Sequence, residues 1–240
     1  MEEGSLMRID RFISELGIAS RKEAAKVARS GGVSVNGATV TDLSRHIDPE
    51  KDSIVYLGRE LCYDKFIYVM LNKPEGYVSA TDDKSLPYVT ELLPEEYRRR
   101  ELFPVGRLDR DTVGLMILTN DGQLAHRVLS PRHHVKKLYR FEAAEPLAEG
   151  AEEIFLRGVT LADGYECKRA VLTLDGGRTG GTIELTEGKY HQIKRMIAST
   201  GNRVVALERI SFAGIELDPT LSRGEWRELT DEEIELLRSH

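Results

Sequence analysis

The chain has 240 residues, 40% of them hydrophobic and 31% charged, and its 34 Lys and Arg against 40 Asp and Glu give a net charge of -6. Such a length suits one or two domains with cores of their own, and the composition excludes a disordered chain or one stapled by disulfides, since Cys62 and Cys167 stand alone. No apolar run approaches the roughly 20 residues that span a bilayer, and Met1-Glu2-Glu3 opens no secretory leader, so the expectation is a reduced, cytoplasmic protein.

Residues 1–6 read as a dispensable, disordered extension, with Met7 as the natural start. Ile9, Phe12, Ile13 and Leu16 follow the spacing of one helix face, and Gly17 ends it. Ser20-Arg21-Lys22-Glu23 is a capping box opening a second helix that buries Ala24, Val27 and Ala28 and stops at Gly31-Gly32. Val33 and Val35 alternate into Asn36-Gly37, a hairpin turn, and Asp52–Leu57 is a further strand. The charged stretch from Gly58 to Lys65 reads as a junction. Beyond it the pattern predicts strands at Phe66–Leu71, Val113–Leu118, Leu138–Ala143, Ala170–Leu174, Thr182–Thr186 and Val204–Leu207, with helices at Gly122–Leu129, Glu149–Arg157 and Tyr190–Thr200. Strands with scattered helices imply an α+β fold on a mostly antiparallel sheet. The expected domains are 7–60, a linker at 61–65, and 66–240.

Charge is unevenly placed. Between Arg8 and Arg29 six cations face three acids, and from His126 to Arg140 five cations and three histidines face none. The stretch after Ile215 holds eight acids against Arg223, Arg227 and Arg238 and reads as an acidic tail, with Trp226 packed in it or on the core. Local basic faces of this kind suit a phosphate backbone.

Three motifs carry chemistry. Asn72-Lys73-Pro74-Glu75-Gly76 is a turn at a strand end and by itself a weak signal. Gly106-Arg107-Leu108-Asp109-Arg110-Asp111-Thr112-Val113-Gly114 sets two carboxylates and two guanidiniums in a loop before a buried strand. Glu187-Gly188-Lys189-Tyr190-His191-Gln192-Ile193-Lys194-Arg195-Met196 enters a helix crowded with donors. The histidines His126, His133, His134 and His191 match no zinc spacing, so no metal is expected. No phosphate-binding glycine loop is present, and no cofactor is expected.

In this order the motifs resemble those of the bacterial RsuA-type pseudouridine synthases, which modify ribosomal RNA, and the N-terminal segment resembles the S4 RNA-binding domain these enzymes carry. The resemblance runs from about Arg8 to Thr230; the motif around Asp109 is its most specific part, extended by Ser130-Pro131-Arg132-His133-His134 and Lys136-Lys137-Leu138-Tyr139. It implies an S4-like domain followed by a synthase domain that isomerises a uridine in ribosomal RNA, free or in a pre-ribosomal particle. Small-subunit RNA is favoured over large-subunit RNA, with an idle RNA-binding assembly factor as the rival of another class. A monomer is expected, since a large asymmetric RNA needs no symmetry partner, with no cofactor, no metal and no membrane. Asp109 then matches the reactive carboxylate, Tyr139 the tyrosine that stacks on the target base, and Lys194 the cation set against the aspartate, where many relatives carry Arg. Arg107 matches the arginine that holds RNA around the flipped nucleotide. Arg132, His133 and Arg195 are expected at RNA, Arg195 facing RNA or a neighbouring carboxylate. Arg21, Lys22 and Lys26 of the capped helix are expected at phosphates.

Overall fold

The computed structural model describes residues 6–63 and 66–240, and the chain divides into two compact units, 1–67 with 93–102, and 68–92 with 103–240. The expectations for residues 1–5, and for Asp64 and Lys65 in the linker, lie outside the described residues.

In the first unit β1 (Met7–Arg8) leads into α1 (Ile9–Glu15), and α2 (Arg21–Arg29) follows. Both halves of the Ser20–Glu23 capping box form. Two strands, β2 (Val33–Val35) and β3 (Ala38–Thr39), make the hairpin, with Asn36 and Gly37 at φ of 50° and 79° in the left-handed region its turn requires. Next come β4 (His46–Ile47), which pairs with β1, and β5 (Ile54–Tyr56), which pairs with β2. Gly58 to Leu61, read from sequence as part of a junction, is instead the turn and second strand of another hairpin: β6 (Arg59–Leu61) pairs with β5. Charged residues hid it, because only Leu61 of the strand is buried. Ile9, Phe12 and Ile13 of α1, Ala24 and Ala28 of α2, and Val33, Val35 and Ile54 form one core. A segment from further along the chain, α3 (Glu95–Arg98), belongs to this unit. It sits close to Gly17, where a side chain would meet the Glu96 carbonyl at 2.3 Å.

The second unit contains β7 (Tyr68–Lys73), β8 (Phe103–Pro104), β9 (Val113–Thr119), α4 (Gly122–Leu129), β10 (Lys137–Ala143), α5 (Ala151–Arg157), β11 (Val171–Leu174), β12 (Gly180–Leu185), α6 (Gln192–Ala198), β13 (Val204–Phe212), β14 (Ile215–Glu216), β15 (Trp226–Glu228) and α7 (Asp231–Arg238). Among the described residues these strands build one sheet in the order β11-β12-β10-β13-β9-β7-β15, with β14 on β13 and β8 on β9. Every pairing is antiparallel except β13 with β9. Helices α4 and α7 cover one face through Leu124, Val128 and Leu237, packed on Met70, Leu115 and Ile117. No helix among the described residues is long and apolar enough to cross a membrane.

Two helices begin later than their apolar spacing predicts, because Gly150 and His191 take left-handed conformations that cannot continue a helix backward. The last strand of the apolar pattern, expected to stop at Leu207, runs on to Phe212 through Glu208 and Arg209. The C-terminal segment is not a loose acidic tail. Trp226–Glu228 is the edge strand on β7, and Thr230 and Glu233 form a second capping box on α7. Arg227 bonds Asp218 and both oxygens of Glu233, so two acids of the segment are spent on structure.

Candidate active site

A single transverse row of the sheet organises the site. Lys73 of β7 is paired with Gly114 of β9, Gly114 with Arg209 of β13, and Arg209 with Tyr139 of β10. Residues in register share a face, so Lys73, Arg209 and Tyr139 project to the same side with no side chain between the first two. Gly114 has φ of 100°, and a Cβ there would lie 2.3 Å from the Arg209 carbonyl, so only glycine lets β9 and β13 approach in parallel.

The loop carrying Asp109 is built on this row. Lys73 is fully buried and its Nζ donates to the carbonyls of Thr112 (2.8 Å), Pro74 (3.1 Å), Asp109 (3.1 Å) and Arg110 (3.3 Å). The Thr112 amide closes the turn back onto the Asp109 carbonyl at 3.1 Å. Burial pushes the Lys73 ammonium down to about 8, against the pull of Asp111, Asp109 and Glu75.

The loop faces a cavity of about 740 Å3 lined by Asp109, Arg107, Tyr139, Lys137, Leu207, Arg209, Tyr190, His191 and Lys194 among others. Lys194, on α6, places Nζ 3.0 Å from Asp109 Oδ2 and 2.5 Å from Asp111 Oδ1. Desolvation opposes the charge on Lys194, but the bonds to both carboxylates outweigh it and raise its pKa. Asp111, in turn, sits below the usual carboxylate range: partial burial works against it, and Lys194 more than compensates. His191, with φ of 49°, brings Nε2 within 3.6 Å of the other Asp109 oxygen, Oδ1.

Tyr139 is 9% exposed and lies beside Arg209, which is 1% exposed. The Arg209 Nε donates to the Leu115 carbonyl at 2.7 Å, its guanidinium lies 4.9 Å over the Phe212 ring, and among the described residues Nη2 finds no partner. Burial works against the Arg209 charge, and Tyr139 works in its favour. Lys137 joins this wall of the cavity. Its Nζ donates to the Val135 carbonyl at 3.1 Å, and burial, with Arg209 adding repulsion, pushes it down to about 8.

Of the residues expected from sequence, Asp109, Lys194, Tyr139 and Arg107 come together around the cavity. Arg132 and His133 are exposed on the turn Pro131–His133, whose Pro131 lines the same cavity. Arg195 takes the second of its two expected partners. Its guanidinium pairs with the Asp163 carboxylate and reaches the Tyr190 carbonyl at 3.5 Å. Arg21, Lys22 and Lys26 are exposed on α2 in the first unit. Sequence reading passed over Lys73, Lys137, Arg209 and the role of His191. The signal for Lys73 was a lone cation ending an apolar strand. For Lys137 and Arg209 the signal was a cation in strand sequence otherwise rich in buried apolar residues.

The sequence profile described as RNA pseudouridylate synthase matches residues 67–199, and that of the S4 domain matches residues 7–53. The chain is 44% identical to an RNA pseudouridine synthase of Bacillus subtilis, over 96% of this chain and 98% of the relative. It is 41% identical to the ribosomal small subunit pseudouridine synthase A of Escherichia coli K12, over 95% of this chain and 98% of the relative. The crystal structure of a pseudouridylate synthase superposes with a TM-score of 0.68 at 37% identity, covering 96% of this chain and 99% of the other. The chain belongs to the RNA pseudouridylate synthase family and carries an N-terminal S4 domain.

Proposed function

We propose that this pseudouridine synthase isomerises a uridine in the 16S RNA of the small ribosomal subunit, in the cytoplasm, as a monomer. The substrate rests on the match to the small-subunit enzyme of E. coli along nearly the whole of both chains. The chemistry rests on one observation: the Asp109 carboxylate stands in a cavity large enough for a nucleotide, with one oxygen held by Lys194.

The reaction breaks the bond from sugar C1′ to N1 and joins C1′ to C5 of the same base. A proton leaves C5 and N1 gains one, so atoms and electrons balance with no cofactor. A uridine stacked in folded RNA does not present C1′ and C5 together, so it is flipped out, at a cost of a few kcal/mol. In this reading Asp109 acts at the sugar–base linkage through Oδ1, the oxygen that Lys194 leaves open. Lys194 holds Oδ2 and so fixes the orientation of the carboxylate. Tyr139 stacks on the uracil and stands near its C5 edge, while Leu207 forms apolar wall. Lys137 and Arg209 offset negative charge that develops on the detached base. Arg107 holds the RNA backbone at the mouth, with Arg132 and His133 beside it, and the S4 domain adds phosphate contacts through Arg21, Lys22 and Lys26.

Pseudouridine mapping of ribosomal RNA, from cells with and without the protein, tests the reading. Loss of one modified position in 16S RNA, restored by the wild type and not by Asp109→Asn, is expected. Loss of a position in large-subunit RNA would overturn the substrate, and no change in any RNA would leave an assembly role in its place.

A further inference from the structure

Tyr190 is 72% exposed, more than any other large apolar side chain among the described residues. Aromatic rings of that size are normally buried against other side chains, and one left in water at the mouth of a reaction cavity calls for an occupant. The ring is not loose. One face is covered by the imidazole of His191, with centroids 3.8 Å apart and planes inclined by 17°. His191 takes φ of 49°, in the left-handed region, and its Nε2 lies 3.6 Å from Asp109 Oδ1. Carboxylate, imidazole and phenol thus form a column running from the floor of the cavity to solvent.

We propose that the open face of Tyr190 is a stacking platform for a nucleobase of the RNA substrate, the neighbour of the uridine that enters the cavity, and that His191 beneath it ties the stacked base to the position of Asp109. This rests on the reading of the site as one that flips a uridine. The neighbour is the occupant because the target uracil must lie against Asp109 and Tyr139, whereas the free face of Tyr190 is turned away from them by the thickness of the imidazole. Extruding a base removes a stacking partner from the bases on either side. A flat ring at the mouth restores that partner, and every base has a π-face to offer it. Charge at the mouth suits the same strand. Lys189 lies 5.0 Å over the Tyr165 ring, and Lys168 lies 3.2 Å from His134 Nδ1, with Arg107 on the same cavity.

The test uses full-length protein and 16S RNA transcribed with tritium at uridine C5, because each conversion releases that tritium. Wild type must release tritium from this RNA, either free or assembled with small-subunit proteins; if it releases none from either, the proposed substrate is wrong, and that failure is separate from the platform. Given wild-type turnover, Tyr190→Ala weakens RNA binding by roughly tenfold to a hundredfold, as loss of one base stack does. Tyr190→Phe and Tyr190→Trp stay near wild type, and Tyr190→Leu follows Ala. An exposed ring contributes little to folding, so thermal unfolding of all four is unchanged. A short RNA with 2-aminopurine beside the mapped uridine gives the second readout: its fluorescence is quenched on binding wild type and less on binding Tyr190→Ala. Binding by Tyr190→Ala within twofold of wild type overturns the proposal. So does a loss in Tyr190→Phe equal to that in Ala, which would give the role to the hydroxyl.

Discussion

The Lys73 ammonium donates to the main-chain carbonyl of Asp109 at 3.1 Å, across 36 positions of sequence. With the carbonyls of Pro74, Arg110 and Thr112 also on it, one buried cation holds the backbone of the loop, while Lys194 holds its carboxylate. The two lysines have separate functions, and substitutions distinguish them.

Lys73→Met fills the space but leaves four carbonyls without their shared donor. It is expected to lower stability by about 3 kcal/mol in urea unfolding and to cut turnover at least tenfold, since a displaced loop misplaces Asp109. A variant as stable and as active as wild type would remove Lys73 from the support of the loop.

Lys194→Met leaves Asp109 and Asp111 facing each other without the cation that both contact. Its charge now lowers the pKa of Asp111 against the effect of burial, so its loss moves proton uptake by Asp111 to higher pH. Single-turnover rate should fall at least tenfold, because nothing then holds Asp109 Oδ2 in place, while Lys194→Arg keeps most of it. Asp109→Asn is expected to abolish turnover at every pH. Asp111→Asn, at a side chain 61% exposed, should cost about tenfold or less.

Lys137 gives stability a pH dependence of known sign. Its folded value of about 8 lies below its ordinary 10.5, so between these limits the unfolded chain binds more protons than the folded one. Unfolding free energy therefore rises with pH above about 8, by at most about 1.4 kcal/mol per pH unit from this residue. Lys73 contributes in the same direction, and Tyr68, pushed up to about 12, opposes both above pH 10. Urea titrations from pH 8 to 10 should show a smaller slope for Lys137→Met than for wild type, and equal slopes would place this lysine in water.

In the S4 domain, Arg21, Lys22 and Lys26 are exposed on α2, whose Ala24 and Ala28 face the core. If all three meet phosphate, changing them together to Ala reduces the slope of log affinity against log salt by about two to three. Single-turnover rate at saturating RNA should be nearly unchanged. An unchanged salt slope would mean that this helix binds something other than a phosphate backbone.

Local chemistry made much of this protein legible in its sequence. Side-chain spacing and backbone sterics act within a few residues, so the Ser20–Glu23 cap, the Asn36-Gly37 turn and helix α4 stand where their residues predict. Thr230 and Glu233 carried the same capping signal, and counting the charge of that segment, without attending to its spacing, hid helix α7. The motif around Asp109 was legible because its residues are contiguous. Its support was not: the row from Lys73 through Gly114 and Arg209 to Tyr139 is set by strand order and register. A cation at the end of an apolar strand reads alike whether it faces solvent or four carbonyls, and only the packing of β7 against β9 and of β9 against β13 decides between them. Desolvation and hydrogen bonding depend on what tertiary structure brings near, so the clamp on Asp109, the buried Arg209 and the exposed stack of Tyr190 on His191 were settled by the fold.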